Sequence, residues 1–152
     1  MNIACLPFNP RGTIALGKVS PIAISTGDRA ASPLPPGNVQ VNGDSWPDGK
    51  TYTGDVTLTW AHRNRTARTG LAIVQQDAVS VGSPEGSYTI DVLIAGIVKL
   101  TATGITGTSF TYTHAQRVAD DANLANPVQF RITPVNGALV GTVRTTDVFI
   151  MS

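Results

Sequence analysis

The chain of 152 residues has little charge and few residues that favour helices. Asp, Glu, Lys and Arg make up 14% of it, well below the roughly 25% of an average globular domain. Glu85 is the only glutamate and there are three lysines, so charged helix formers are scarce. Thr, Val, Ile and Gly take their place, which favours strands joined by tight turns. The composition therefore predicts an all-β protein.

Residues for metal binding and nucleophilic catalysis are equally few. Cys5 is the only cysteine, which excludes a disulfide within the chain. It predicts a packed, buried thiol, with a reactive thiol as the alternative. With His62 and His114, the only histidines, it gives too few ligands for a zinc site. No nucleophile elbow is present. Asp120-Asp121 reads as a turn or helix cap, because a calcium loop needs several oxygen ligands at fixed spacing. We expect no enzymatic activity, no metal and no cofactor.

The overall charge and the hydropathy of the chain exclude further classes. A net charge of +1 argues against electrostatic binding of nucleic acid or of an anionic membrane surface. The apolar stretches are strand-sized and too short to cross a bilayer. The N-terminus lacks a basic leader, and Pro7 and Pro10 interrupt any apolar region, so it does not resemble a signal peptide. We expect the protein to fold in a cytoplasm.

Composition divides the chain into an N-terminal arm and linker at 1–35 and a β-sandwich at 36–152. Two short apolar pieces of the arm, at 13–16 and 21–25, have the length of edge strands. The run 32–37 is rich in proline and predicts an extended linker. Because the arm has few large apolar side chains, we expect it to pack on the sandwich, on another copy or on a partner.

The run from Asp55 to Trp60 is the clearest structural signal in the chain. Val56, Leu58 and Trp60 alternate with polar residues, so one face of this strand should be buried. A large ring at its end suits the space between two sheets. Tyr88 and Phe130 lie in similar alternating runs. These five residues are the predicted core: Val56, Leu58, Trp60, Tyr88 and Phe130.

Seven strands with turn signals between them predict an antiparallel sandwich. They are expected at 38–41, 55–60, 88–95, 97–103, 110–112, 128–133 and 139–150. Asn136-Gly137 predicts a hairpin turn. The long connection 66–86 contains an apolar piece at 71–74 that suggests a small hairpin, and 114–124 has the spacing of a short helix.

Two features are candidates for contact with partners. Arg63, Arg65 and Arg68 form the one concentrated charge and follow the strand that ends at Trp60. We interpret them as a solvated loop or a contact to a neighbouring subunit, with an anion site as the alternative. Trp46 lies in a turn-rich loop, where it either caps the edge of the sandwich or is exposed to bind a sugar or a partner.

The strand pattern, with Trp60 on the second strand and Tyr88 on the third, resembles a fibronectin type III domain. A narrower resemblance is to the carboxyl-terminal part of tail-tip proteins of long-tailed bacteriophages and gene transfer agents, the baseplate hub or host-specificity proteins. It is carried by 35–39, by Asp55-Val56-Thr57-Leu58-Thr59-Trp60-Ala61-His62-Arg63-Asn64-Arg65, by 85–88, and by the later 110–112, 120–121 and 136–137.

This resemblance implies a structural and adhesion module of a phage virion. It would be made in the host cytoplasm and placed at the tail tip or baseplate. Its partners would be other tail proteins and a host-surface receptor, and because such hubs are commonly threefold, it implies a homotrimer or attachment to a trimeric hub. The alternative is an accessory carbohydrate-binding sandwich domain of an extracellular enzyme, which would use exposed aromatics such as Trp46.

Overall fold

A computed structural model describes residues 31–64 and 82–152 and, before them, four two-residue strands. The chain divides into two compact units, Met1–Ala31 and Ser32–Ser152. In the first unit, β1 pairs antiparallel with β4, and β2 with β3. These strands are β1 (Asn2–Ile3), β2 (Phe8–Asn9), β3 (Gly12–Thr13) and β4 (Ile22–Ala23). Of the expected arm strands, the described residues include Thr13 and Ile22–Ala23.

The proline-rich segment belongs to the second unit. Pro33 and Pro36 are buried, and the Leu34 backbone N–H donates a 3.1 Å hydrogen bond to the Glu85 carboxylate. The unit boundary thus falls after Ala31 rather than after residue 35. The segment expected to be a linker is instead packed, because apolar proline rings lose contact with water there.

Within the described residues, the regular structure of the second unit consists of ten strands and one short helix. Its elements are β5 (Gly37–Val41), β6 (Thr51–Tyr52), β7 (Val56–Ala61), β8 (Ser87–Ile94), β9 (Ile97–Ile105), β10 (Ser109–Tyr112), α1 (His114–Asp120), β11 (Val128–Asn136), β12 (Leu139–Val140), β13 (Arg144–Thr145) and β14 (Ile150–Met151). Each of the seven predicted strands overlaps an observed one.

Two antiparallel sheets form the body of this unit. One has the order β10-β7-β5; the other has the order β12-β11-β8-β9, with β13 also paired to β11. A third, short pairing joins β14 to β6 in parallel. It extends through the bonds Gly49 N–H to Val148 O and Gly54 N–H to Ser152 O. This parallel pair was not predicted, because two-residue strands far apart in sequence leave no periodic signal.

The core lies between the two main sheets. All five residues predicted to be core lie in one buried cluster. Trp60 on β7 meets Tyr88 on β8 edge-to-face, with ring centroids 5.3 Å apart. Phe130 on β11 meets Phe110 and Tyr112 of β10 in the same manner, at 6.3 and 6.4 Å. Aromatic rings therefore join the sheets at two places.

The single strand expected at 139–150 is divided into β12, β13 and β14. Gly141 explains the first break. Its N–H bonds to the Pro134 carbonyl, and a Cβ at this position would lie 2.2 Å from the Pro33 carbonyl oxygen. The chain there passes close to the proline-rich segment and cannot continue as a flat strand.

The predicted hairpin is present, but its turn is one residue later than expected. Asn136 still pairs with Leu139, so Gly137 and Ala138 are the two central residues. Gly137 has φ +58°, the positive value that a two-residue hairpin needs at its first central position.

Helix α1 forms where apolar spacing predicted a short helix, and it ends earlier than expected. Thr113 and Gln116 form a reciprocal capping box at its start. Arg117 is fully buried, and its guanidinium donates to the backbone carbonyls of Asp121, Asn123 and Asn126 at 2.6–3.1 Å. These bonds hold the connection to β11 against the helix end, so the chain leaves the helix at Asp121.

A row of three bonded polar side chains crosses the outer face of the larger sheet. Asp91 on β8 accepts two hydrogen bonds from Arg131 on β11, at 2.7 and 2.9 Å. Thr101 on β9 donates a third at 2.6 Å. Burial raises the pKa of Asp91, but the bonds from Thr101 and Arg131 outweigh it, so the pKa lies below its usual value. The ionised carboxylate links three neighbouring strands.

Replacing Trp60 by Ala should destabilise the second unit by about 3–5 kcal/mol, the usual cost of removing a large buried ring. Trp60 is only 4% exposed, so its removal leaves a cavity between the sheets. Denaturant unfolding measures the loss. The matched control is Trp46→Ala, which removes a ring that is 71% exposed. Equal stabilities of the two variants would contradict the assigned core.

Asp91 should make stability depend on pH in the acid range. Since its folded pKa is lowered, its contribution is present above the unfolded pKa of about 3.9 and is lost as the pH falls towards the folded value. Asp91→Asn should therefore cost less stability at pH 2.5 than at pH 6. Urea unfolding at both pH values measures this difference, with the exposed Asp48→Asn as control. A cost that does not change with pH would refute the role of the carboxylate.

Candidate contact site

The basic segment after β7 turns back into the protein instead of entering solvent. His62 and Arg63 are 8% and 1% exposed, so the expectation of a solvated loop at Arg63 is wrong. Arg65 and Arg68, with the rest of 65–81 and its expected hairpin, lie outside the described residues, as does Cys5.

Arg63 is buried because Gly37 leaves space for it. A Cβ on Gly37 would lie 1.8 Å from the Arg63 guanidinium, so the guanidinium lies directly against the bare backbone at the start of β5. Arg63 also donates to the His62 carbonyl at 3.1 Å. Gly37 pairs with Ala61 across the sheet, so the arginine fastens this end of β5 to β7. No sequence rule could have linked a glycine in the proline-rich segment to this arginine.

His62 extends the aromatic packing of the core. Its ring stacks on Tyr88 with 5.7 Å between centroids and 3° between planes, and its Nδ1 lies 3.2 Å from the Tyr88 hydroxyl. Burial lowers the pKa of His62. Burial also raises the pKa of Tyr88 to about 12, although the positive Arg63 opposes the shift. These groups form a buried structural cluster.

Trp46, unlike the buried His62, has 71% of its surface exposed. The sequence left two interpretations open, a ring that caps the sandwich edge and an exposed ring. The exposed ring is the one observed. Its loop is nevertheless well held. Lys50 forms a 2.6 Å ion pair with Asp44, and the Tyr52 hydroxyl donates to the same carboxylate at 2.8 Å. The bond from Lys50, then that from Tyr52, lowers the pKa of Asp44.

A cleft of about 100 Å³ lies beside the Trp46 ring. One wall is β5, through Asn38, Val39 and Val41; the rest is formed by loop residues 44–47 and by residues 144–147 around β13. The cleft therefore lies between β5, an outer strand of the smaller sheet, and the edge of the larger sheet at β13. Residues 144–147 are distant from Trp46 in sequence, so only the folded chain reveals that they share a surface.

Three polar side chains in the cleft are not used to hold the fold. Arg144, Asp147 and Asn38 make no side-chain hydrogen bond or ion pair with any part of the chain that the structure describes. Their neighbour Thr146 differs, since its hydroxyl bonds to the Phe130 N–H and the Asp147 carbonyl. The cleft thus presents an exposed indole, a cation, an anion and an amide.

The paired aspartates are structural, as their interpretation as a turn or cap predicted. Asp121 is the C-cap of α1 and accepts from Asn123 and Asn126, while Asp120 accepts from the Tyr112 hydroxyl at 2.6 Å. Within residues 31–64 and 82–152, no group of three His, Cys, Asp or Glu side chains is placed to hold a metal ion. Among the described residues, no helix is both long and apolar enough to span a membrane.

No protein-family model matches the chain, and a search of curated proteins found no significant match.

Arg63→Ser should destabilise the second unit by at least about 1–3 kcal/mol, because the change leaves buried polar groups without their donor and opens a cavity. The matched control is Arg144→Ser, which removes a cation that bonds to no described residue and should leave the melting temperature nearly unchanged. Thermal unfolding of both variants tests the assignment. An Arg63→Ser protein that melts like the parent would show that the guanidinium is not a structural element.

Proposed function

We propose that the chain contains a fibronectin type III-like sandwich and serves as a non-enzymatic structural and adhesion module at the tip of a bacteriophage tail. The observation that carries the proposal is the strand order. Antiparallel sheets ordered β10-β7-β5 and β12-β11-β8-β9, with Trp60 on the second main strand and Tyr88 on the third, are what supports this interpretation. This supports the resemblance drawn from sequence to tail-tip proteins.

The second unit has the physical features of a rigid carrier for contacts. Its core residues are close to fully buried, and both ends are fastened by arginines that have almost no exposed surface. Binding residues held on such a support lose little conformational freedom on contact. The exposed Trp46 and its cleft supply a surface of the kind that adhesion requires.

The first unit is the proposed assembly element. We assign Met1–Ala31 to contact with other tail proteins, in a homotrimer or on a trimeric hub. Two-stranded pairings such as β1-β4 and β2-β3 are of the kind that strands of a neighbouring chain can extend. In this scheme the first unit attaches the chain to the virion, and the second unit faces the host-surface receptor.

Trp46 also keeps a second candidate function open, an accessory carbohydrate-binding domain of an extracellular enzyme. The exposed ring beside a polar cleft favours it. The two candidates differ in what the module is attached to, a tail particle or a catalytic domain, so the location of the chain separates them.

Immunogold electron microscopy of tailed particles from cells that carry this gene should label the end of the tail distal to the head. The antibody is raised against residues 32–152, and particles from a deletion strain are the control. Quantitative mass spectrometry of the same particles should give three copies per tail or a multiple of three. Particles that lack the chain, or label confined to the culture medium, would refute the tail-tip assignment.

A further inference from the structure

We infer that the cleft beside Trp46 binds one sugar residue of a neutral polysaccharide. The inference rests on the adhesion part of the proposed function and specifies the chemical class of the receptor. It is carried by the arrangement of Trp46, Arg144 and Asp147 around one cleft.

The Trp46 ring provides the platform. An indole with 71% of its surface in water offers a flat apolar area that becomes favourable when a ligand covers it. The C–H groups on one face of a pyranose ring form a matching flat apolar surface. Ligand pockets that enclose a whole small molecule occupy roughly 300–1,000 Å³, whereas this cleft has about 100 Å³. It can therefore hold one edge of one sugar ring while the rest of a longer chain stays in solvent.

The polar side chains match the hydroxyl groups of a sugar. A guanidinium only donates hydrogen bonds and a carboxylate only accepts them, while an amide does both. Arg144, Asp147 and Asn38 supply one of each. Every sugar hydroxyl is both a donor and an acceptor, so neighbouring hydroxyls can bond to Arg144 and Asp147 together. Because these side chains are not bonded to the described part of the fold, no internal bond has to break first.

The charge balance favours a neutral ligand. Asp44 is already paired with Lys50, which leaves the opposite charges of Arg144 and Asp147 in the cleft. Their sum is zero, so neither an acidic nor a basic polymer is attracted by a net field.

The backbone around the cleft disfavours a peptide ligand. A peptide that added a strand would need free N–H and C=O groups along an edge. At Val41 on β5 both groups are bonded to Asp44, at 2.9 Å each. Across the cleft, the Thr146 N–H is bonded to the Phe130 carbonyl at 3.0 Å. Recognition by side chains is therefore the mode that this surface provides.

The full-length chain is tested on a printed array of bacterial polysaccharides, both neutral and acidic, and the strongest binder is then titrated in solution. Quenching by acrylamide follows the site directly, since Trp46 is exposed and the other tryptophan, Trp60, is buried. We expect a neutral polysaccharide to bind with a Kd below about 1 mM and to shield Trp46 from the quencher. No binding at that level, or a preference for acidic polysaccharides, would overturn the inference.

Variants then assign the binding to the cleft. Trp46→Ala should abolish binding with little change in melting temperature, and Asp147→Ala and Arg144→Ala should each weaken it about tenfold, the effect of losing one hydrogen bond to a charged group. The matched control is Ile97→Ser, an equally simple change at a residue that is 62% exposed on β9. Binding that survives in Trp46→Ala, or that is lost in Ile97→Ser, would refute the site.

The two proposals fail in different ways. A chain that labels tail tips but binds no polysaccharide would refute the sugar site and leave the tail-tip assignment in place. A chain that binds a neutral polysaccharide through Trp46 but is absent from particles would refute the tail-tip assignment alone.

Discussion

The edge-to-face packing of aromatic rings between the two sheets is the interaction on which the rest of the structure depends. Trp60 against Tyr88 sets the contact at one place, and Phe130 against two rings of β10 sets it at another. Ring pairs of this kind fix orientation as well as separation. Once the sheets are held in this way, the outer strands and the connections between strands have defined positions, and the cleft beside Trp46 is a consequence of that geometry.

Two buried arginines hold parts of the backbone outside the aromatic core. Arg63 fastens the start of β5 over a bare glycine, and Arg117 gathers three backbone carbonyls after α1. Each donates hydrogen bonds to backbone carbonyls that would otherwise be buried without a partner. Leaving such a carbonyl unpaired costs more free energy of folding than an exposed ion pair contributes. Among the described residues, buried arginines thus organise the backbone, ion pairs such as Arg131–Asp91 link neighbouring strands, and Arg144 is left for the proposed contact.

Local pattern predicted the strands well, because alternation in runs such as Val56-Thr57-Leu58 records which face is buried. It also indicated the short helix and the hairpin. It failed for Arg63, because polarity alone cannot reveal the space that a distant glycine leaves. It failed as well for the division of the last strand, which depends on the close approach of Pro33 to Gly141. Of the candidate site, only Trp46 could be named from sequence, since Arg144 and Asp147 reach it through tertiary pairing.

The parallel pair of β6 and β14 has a consequence for the order of events during synthesis. The loop that carries Trp46 is closed by bonds to Val148, Ile150 and Ser152, so its final shape must wait until those residues have left the ribosome. The sheets can begin to associate earlier, through β7, β8 and β11. The surface proposed for adhesion is therefore among the last parts of the second unit to be completed, together with the part of the core that Phe149 and Met151 of the same segment fill.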